Sequence, residues 1–214
     1  MTDELLAGQL DYYRRRAAEY DETAYGDVTA ARARIARLVA RMHPTGRVLE
    51  IACGTGLWTE ALAPFADTLT ATDAAPETIA IARHRVPAAN VTFEVADAFT
   101  GLPAARFDVI FFSAWLSHVP ASRFAEFWHA LRDRLSEHGR VLFLDEHVDV
   151  RAKESYLAGR DDVVERTLRD GTTFRVVKNF VDPAELRSRL QRLGWTCAIH
   201  RDGEDWIHGE ARPG

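Results

Sequence analysis

From Gly46 to His147 the chain alternates short apolar runs with stretches of helical periodicity, and this alternation restricts the possible folds more than any other feature. The runs are Arg47-Val48-Leu49-Glu50-Ile51, Thr68 to Asp73, Val91 to Val95, Phe107 to Phe112 and Arg140 to Leu144. Helical spacing fills Leu57 to Phe65, Pro76 to Arg85 and Ala121 to Leu135 between them. Strands joined by helical crossovers predict a parallel α/β sheet with right-handed connections. Upstream, apolar residues three and four apart predict amphipathic helices over 3–21 and 29–42. Downstream, Val163 to Leu168 and Thr172 to Val177 flank Asp170-Gly171, a dipeptide suited to tight hairpin turns. Pro183 to Leu193 reads as a helix stopped by Gly194. Trp195 to His200 and Asp205 to Glu210 then form an antiparallel pair around Arg201-Asp202-Gly203 that closes the sheet.

No repeat, low-complexity tract or long linker marks a second domain, so residues 1–214 are expected to form one: a helical cap over 1–44, a core over 46–147 and a remainder over 148–214. With 47% hydrophobic residues the chain can build a single substantial core. Lys and Arg number 27 against 32 Asp and Glu, a net charge of −5, which argues against a strongly basic nucleic-acid binder. No apolar run approaches the roughly 20 residues of a membrane span. The start, MTDELLAGQLDYYRRR, has charges where a signal peptide needs an apolar stretch, so the expected location is the cytoplasm, with no membrane partner. Cys53 and Cys197 are too few for a disulfide framework, and no His, Cys or carboxylate spacing resembles a ligand set, so no metal is expected.

The most informative stretch is Val48-Leu49-Glu50-Ile51-Ala52-Cys53-Gly54-Thr55-Gly56, at the carboxyl end of the first strand, where open α/β sheets bind ligands. Gly54 and Gly56 tolerate positive φ and leave room for a ligand at the backbone, while amides entering the next helix can face a polar group. A generic glycine turn does not account for Asp73, which ends the second strand 17 residues after Gly56, where a dinucleotide fold places an acid on ribose hydroxyls. Asp97 follows the third strand.

These residues resemble the first motif of the class I S-adenosylmethionine-dependent methyltransferases, an acidic residue followed by Gly-x-Gly, here Glu50 to Gly56 with Ala52 where glycine is commoner. The resemblance runs over nearly the whole chain. It implies a Rossmann-like, doubly wound sheet of seven strands, mostly parallel with an antiparallel C-terminal strand, plus the helical cap and an inserted hairpin. It also implies S-adenosyl-L-methionine as cofactor. By the same resemblance Asp73, with Ala74 beside it, holds the ribose hydroxyls, Asp97 and Ala98 the adenine amine, and the Gly54 and Gly56 backbone the methionyl part. Ser113 lines the sulfonium end, Tyr20 or Tyr13 in the cap lies near the methionyl carboxylate, and Trp58 is placed to touch the cofactor. A nicotinamide oxidoreductase on the same fold needs a third glycine, at the position Thr59 occupies. A non-catalytic binder of the same cofactor is the other alternative.

Residues on the acceptor side follow the fourth and fifth strands. His118 reads either as a general base or as a cap of the following helix, and Trp115 either as a wall of the methyl pocket or as core. Glu146 and His147 end the fifth strand, where they can bind or deprotonate an acceptor. In the hairpin, Arg175 and Lys178 offer positive charge to a carboxylate or phosphate, or are simply exposed. Arg14-Arg15-Arg16 reads as a solvent-facing charge run. The expected activity is methyl transfer to an oxygen or nitrogen of a small molecule by a monomer or homodimer.

Overall fold

The computed structural model describes residues 2–214. Seven strands form one sheet: β1 (Gly46–Ile51), β2 (Ala66–Asp73), β3 (Val91–Val95), β4 (Phe107–Ser113), β5 (Leu135–Glu146), β8 (Trp195–Asp202) and β9 (Trp206–Pro213). Their order is β3-β2-β1-β4-β5-β9-β8, with β9 antiparallel to both β5 and β8 and the remaining pairs parallel. The hairpin of β6 (Val163–Thr167) and β7 (Thr173–Val177) is a separate two-stranded sheet.

Alternate residues of the central strands feed two cores, and both are apolar because helices cover both faces. Val48, Val109, Phe111 and Leu142 pack under α3 (Val28–Met42), α4 (Leu57–Leu62) and α5 (Pro76–Arg85). Leu49, Ile110, Phe112 and Phe143 pack under α6 (Phe124–Arg132) and α7 (Pro183–Arg192). A third cluster joins Tyr12 of α1 (Thr2–Arg16) to Val164 and Val176 of the hairpin, so the first helix rests on β6 and β7. No helix among the described residues is long and apolar enough to cross a membrane.

Two expected elements are corrected. The helix over 3–21 ends at Arg16, passes through a 3-10 turn at Ala17–Glu19 and restarts as α2 (Tyr20–Tyr25). The helix expected to reach Leu135 stops at Arg132, and Leu135 begins β5, paired with Phe107. Leu135 continues the apolar spacing of Leu131, so periodicity alone extends the helix, whereas pairing with Phe107 decides for the strand. The register of β5 against β4 shifts between Phe107 and Val109, and the close packing there requires Gly139, where a Cβ would lie 2.9 Å from the Phe107 carbonyl oxygen.

Candidate active site

The sheet order places β1 beside β4 at the point where successive strands turn to opposite sides, so a crevice opens beyond their carboxyl ends. The residue after each strand, Ala52 at φ 54° and Ala114 at φ 49°, is left-handed, a conformation that L-residues rarely adopt and that clusters at binding sites. The two glycines of the turn do different work. A Cβ on Gly54 would meet no atom within 4 Å, so its backbone is open to a ligand. A Cβ on Gly56 would lie 2.9 Å from that of Ala82, so this glycine lets α4 start against α5.

Three acids stand at the ends of successive strands. Glu50 is buried beneath the turn and accepts a 2.6 Å hydrogen bond from the Thr59 hydroxyl. Burial pushes its carboxyl up to about 8, so it holds its proton at neutral pH. Asp73 accepts from the amides of Gly54 and Ala75, each at 2.9 Å, and burial raises its carboxyl as well. Asp97 accepts from the amides of Phe99 and Thr100 through one oxygen, which fixes the loop after β3.

A cavity of about 370 Å³ lies over these ends, lined by Tyr20, Ala52, Gly54, Asp73, Ala74, Asp97, Ala98, Ser113 and Trp115 and roofed by Leu6 and Leu10 of α1. A second chamber, also of about 370 Å³, lies beside it under the hairpin and contains Arg16, Tyr25, Trp58, Glu146, Arg166 and Lys178. Tyr13, Tyr20, Ser113, Ala114 and His118 line both and form the wall between them. A larger surface groove of about 580 Å³, with Arg140 and Arg212 in its rim, runs beside the starting half of β5 and away from this crevice.

The hydrogen bonds of His118 fix its tautomer. Its Nδ1 lies 2.7 Å from the Val177 carbonyl oxygen, which can only accept, so Nδ1 carries the proton. Nε2 therefore offers its lone pair, 3.0 Å from the Tyr13 hydroxyl, which donates to it. Burial, and then the nearby charges of Lys178, Arg166 and Arg16, holds the imidazole well below its ordinary pKa and hence neutral. Lys178 is 5% exposed, is paired with Glu146, and donates to the Ser117 hydroxyl at 3.2 Å. Arg166 pairs with Glu154 at 2.6 Å.

Most of the residues singled out by sequence thus converge on the two chambers, some of them in the other chamber from the one expected, and a few lie outside both. Glu50 and Gly56 lie beneath the crevice as supports, and Trp58 packs on Phe111 and lines the second chamber only. Trp115 lies against Phe99 in the first cavity, away from Lys178. The Nδ1 of His147 accepts from the Asp149 amide at 3.2 Å, capping a turn and lining neither chamber. Arg175 stands exposed opposite Glu165. Sequence reasoning missed Arg166 and set Arg16 aside as solvent-facing. Alternation was the available signal for Arg166, since Val164, Arg166 and Leu168 share one strand face and the two apolar neighbours are buried.

The family model for a methyltransferase domain matches residues 48–139. The ubiquinone biosynthesis O-methyltransferase of Xanthomonas axonopodis pv. citri is 31% identical over 75% of this chain and 67% of its own length. The curated relatives that match are spanned by the chain over 55% to 67% of their length. Among solved structures, the DhpI–SAH complex superposes with a TM-score of 0.86 at 39% identity, covering 98% of this chain and 97% of that one. The DhpI–SAM–HEP complex superposes with a TM-score of 0.85 at 40% identity, covering 98% of each chain.

Proposed function

Because the chain belongs to the class I S-adenosylmethionine-dependent methyltransferases, we propose that it transfers a methyl group to an oxygen atom of a small acceptor seated in the second chamber. The observation that carries this reading is the pair of cavities meeting at a wall of Tyr13, Tyr20, Ser113, Ala114 and His118.

The first cavity suits the cofactor on its own chemistry. The open backbone at Gly54 leaves space for the methionyl part, Asp73 presents a carboxylate toward ribose hydroxyls, and Asp97 keeps an oxygen for an exocyclic amine. Phe99, Trp115 and Leu6 provide flat and apolar surface for a purine. The third glycine of a nicotinamide fingerprint is replaced by Thr59, fully buried and committed to Glu50.

When bound, S-adenosylmethionine would supply an electrophilic sulfonium methyl group, whose carbon takes a new bond to the acceptor oxygen as its bond to sulfur breaks and S-adenosylhomocysteine leaves. The protein's work is then to hold that nucleophile in line and remove its proton. Positioning of this kind is worth roughly 7 to 11 kcal/mol. Neutral His118 is the base, with Tyr13 between it and the acceptor: the Tyr13 hydroxyl relays the acceptor proton to Nε2 or swings aside to expose it. Four cationic side chains, Arg16, Arg34, Arg166 and Lys178, line this chamber against two carboxylates, Glu146 and Glu154, and that balance favours a developing or resident oxyanion over an ammonium acceptor, which supports oxygen over nitrogen. The relatives named as O-methyltransferases agree with that preference.

Titration calorimetry with S-adenosylhomocysteine and with NADH tests the cofactor assignment. Wild type should bind the adenosyl compound and give no heat with NADH, and Asp73→Ala should weaken binding by about tenfold or more through lost charge-assisted hydrogen bonds. Binding of NADH, or unchanged affinity in Asp73→Ala, would contradict it. A labelled-methyl screen of small hydroxyl, phenol and acid acceptors then reports the reaction.

A further inference from the structure

Resting on that reading, the charges around the second chamber narrow the acceptor further. Four cationic side chains line it, and three are ion-paired: Lys178 with Glu146, Arg166 with Glu154, and Arg34 with Asp202, a carboxylate outside the chamber that Arg41 shares. Arg16 is the exception. Among the described residues no ion pair joins it to a carboxylate, although the two arginines before it are both so engaged, Arg14 with Glu77 and Arg15 with Asp170. The first two arginines of the run therefore turn outward, and the third turns into the chamber.

Arg16 is also held in place. Its Nε donates to the Thr23 hydroxyl at 3.0 Å, and its guanidinium carbon lies 4.8 Å from the Tyr20 ring centroid and 5.6 Å from that of Tyr12. The side chain is half-buried and its order is already established, so little further entropy is lost when an anion docks on it. Tyr20 is part of the wall between the two chambers, which sets the guanidinium next to the place of transfer.

We propose that Arg16 is an acceptor-binding residue that selects molecules carrying an oxyanionic group, a carboxylate or a phospho group. A planar guanidinium meets either group through paired N–H donors, and the excess positive charge of the chamber is balanced only when such a group enters.

The test is calorimetric titration of sodium phosphate and, separately, sodium acetate into protein saturated with S-adenosylhomocysteine. At least one anion should bind wild type, and which one binds distinguishes a phospho group from a carboxylate. Arg16→Gln should weaken that binding by about tenfold or more, Arg16→Lys by less, and Arg14→Gln should leave it unchanged. Thr23→Val, which keeps the charge and frees the guanidinium, should give an intermediate loss even if Arg16→Gln fails to fold. Affinity for S-adenosylhomocysteine should stay within about twofold throughout, since these variants leave the adenosine side intact. Absence of anion binding to the loaded wild type, or equal binding by Arg16→Gln, overturns the proposal while leaving the cofactor reading in place. Failure of wild type to bind S-adenosylhomocysteine overturns both.

Discussion

At the scale of single residues, the crevice is built from backbone conformations that cost energy. Ala52 stands where the resembled motif more often has glycine, and it holds φ at 54°, matched across the crevice by Ala114 at 49°. An L-residue held there costs on the order of 1 kcal/mol, which Gly would relieve, while its greater freedom in the unfolded chain costs about 0.5 to 1 kcal/mol. The two effects nearly cancel. Urea denaturation should therefore find Ala52→Gly neutral or slightly stabilising. Ala71→Gly, at a fully buried position in β2, should lose about 1 kcal/mol or more. Equal losses at both positions would show that Ala52 stores no strain.

At the scale of elements, the first helix completes both chambers, and this was the part least legible in the sequence. The bounds of β3 and α5 and the acids after β2 and β3 could be read directly, because strand alternation and the crevice rule are local and positional. The roles of Arg16, Arg166 and Tyr13 depend on α1 docking against the hairpin, a contact between segments about 150 residues apart that no periodicity encodes. Gln9 makes the dependence concrete. It is 4% exposed, and its side-chain oxygen accepts from the Val177 amide at 2.9 Å, beside the carbonyl that fixes the His118 tautomer and next to Lys178. Gln9→Leu leaves that buried amide unpaired, a cost of about 1 to 3 kcal/mol that falls on the hairpin side of the chamber. Its kcat/KM for an acceptor should fall by about tenfold or more, a larger loss than that in S-adenosylhomocysteine affinity, because Gln9 also borders the first cavity. A parallel loss of both would indicate that α1 acts only as a cover for the cofactor.

At the scale of the whole molecule, two buried titratable groups on opposite sides of the crevice give folding stability a distinctive pH dependence. His118 has a depressed pKa when folded, so stability is lost as pH falls below about 6.5, where the unfolded imidazole gains a proton that the folded one does not. Glu50 runs the other way. Its folded pKa is raised from 4.5 to about 8, so stability is lost as pH rises between those values, because the unfolded carboxyl ionises while the folded one keeps its proton. Gln at position 50 mimics the protonated state and can still accept from Thr59, whose hydroxyl lies 2.6 Å from the Glu50 carboxyl. In the cofactor-free protein, Glu50→Gln should thus match wild type near pH 4.5 and become progressively more stable than it toward pH 8, on the order of 1 kcal/mol per pH unit, then level off. Denaturant midpoints measured from pH 4.5 to 9 decide the matter: a constant difference between the two proteins would mean that Glu50 is already ionised in the folded state and that burial does not govern its charge.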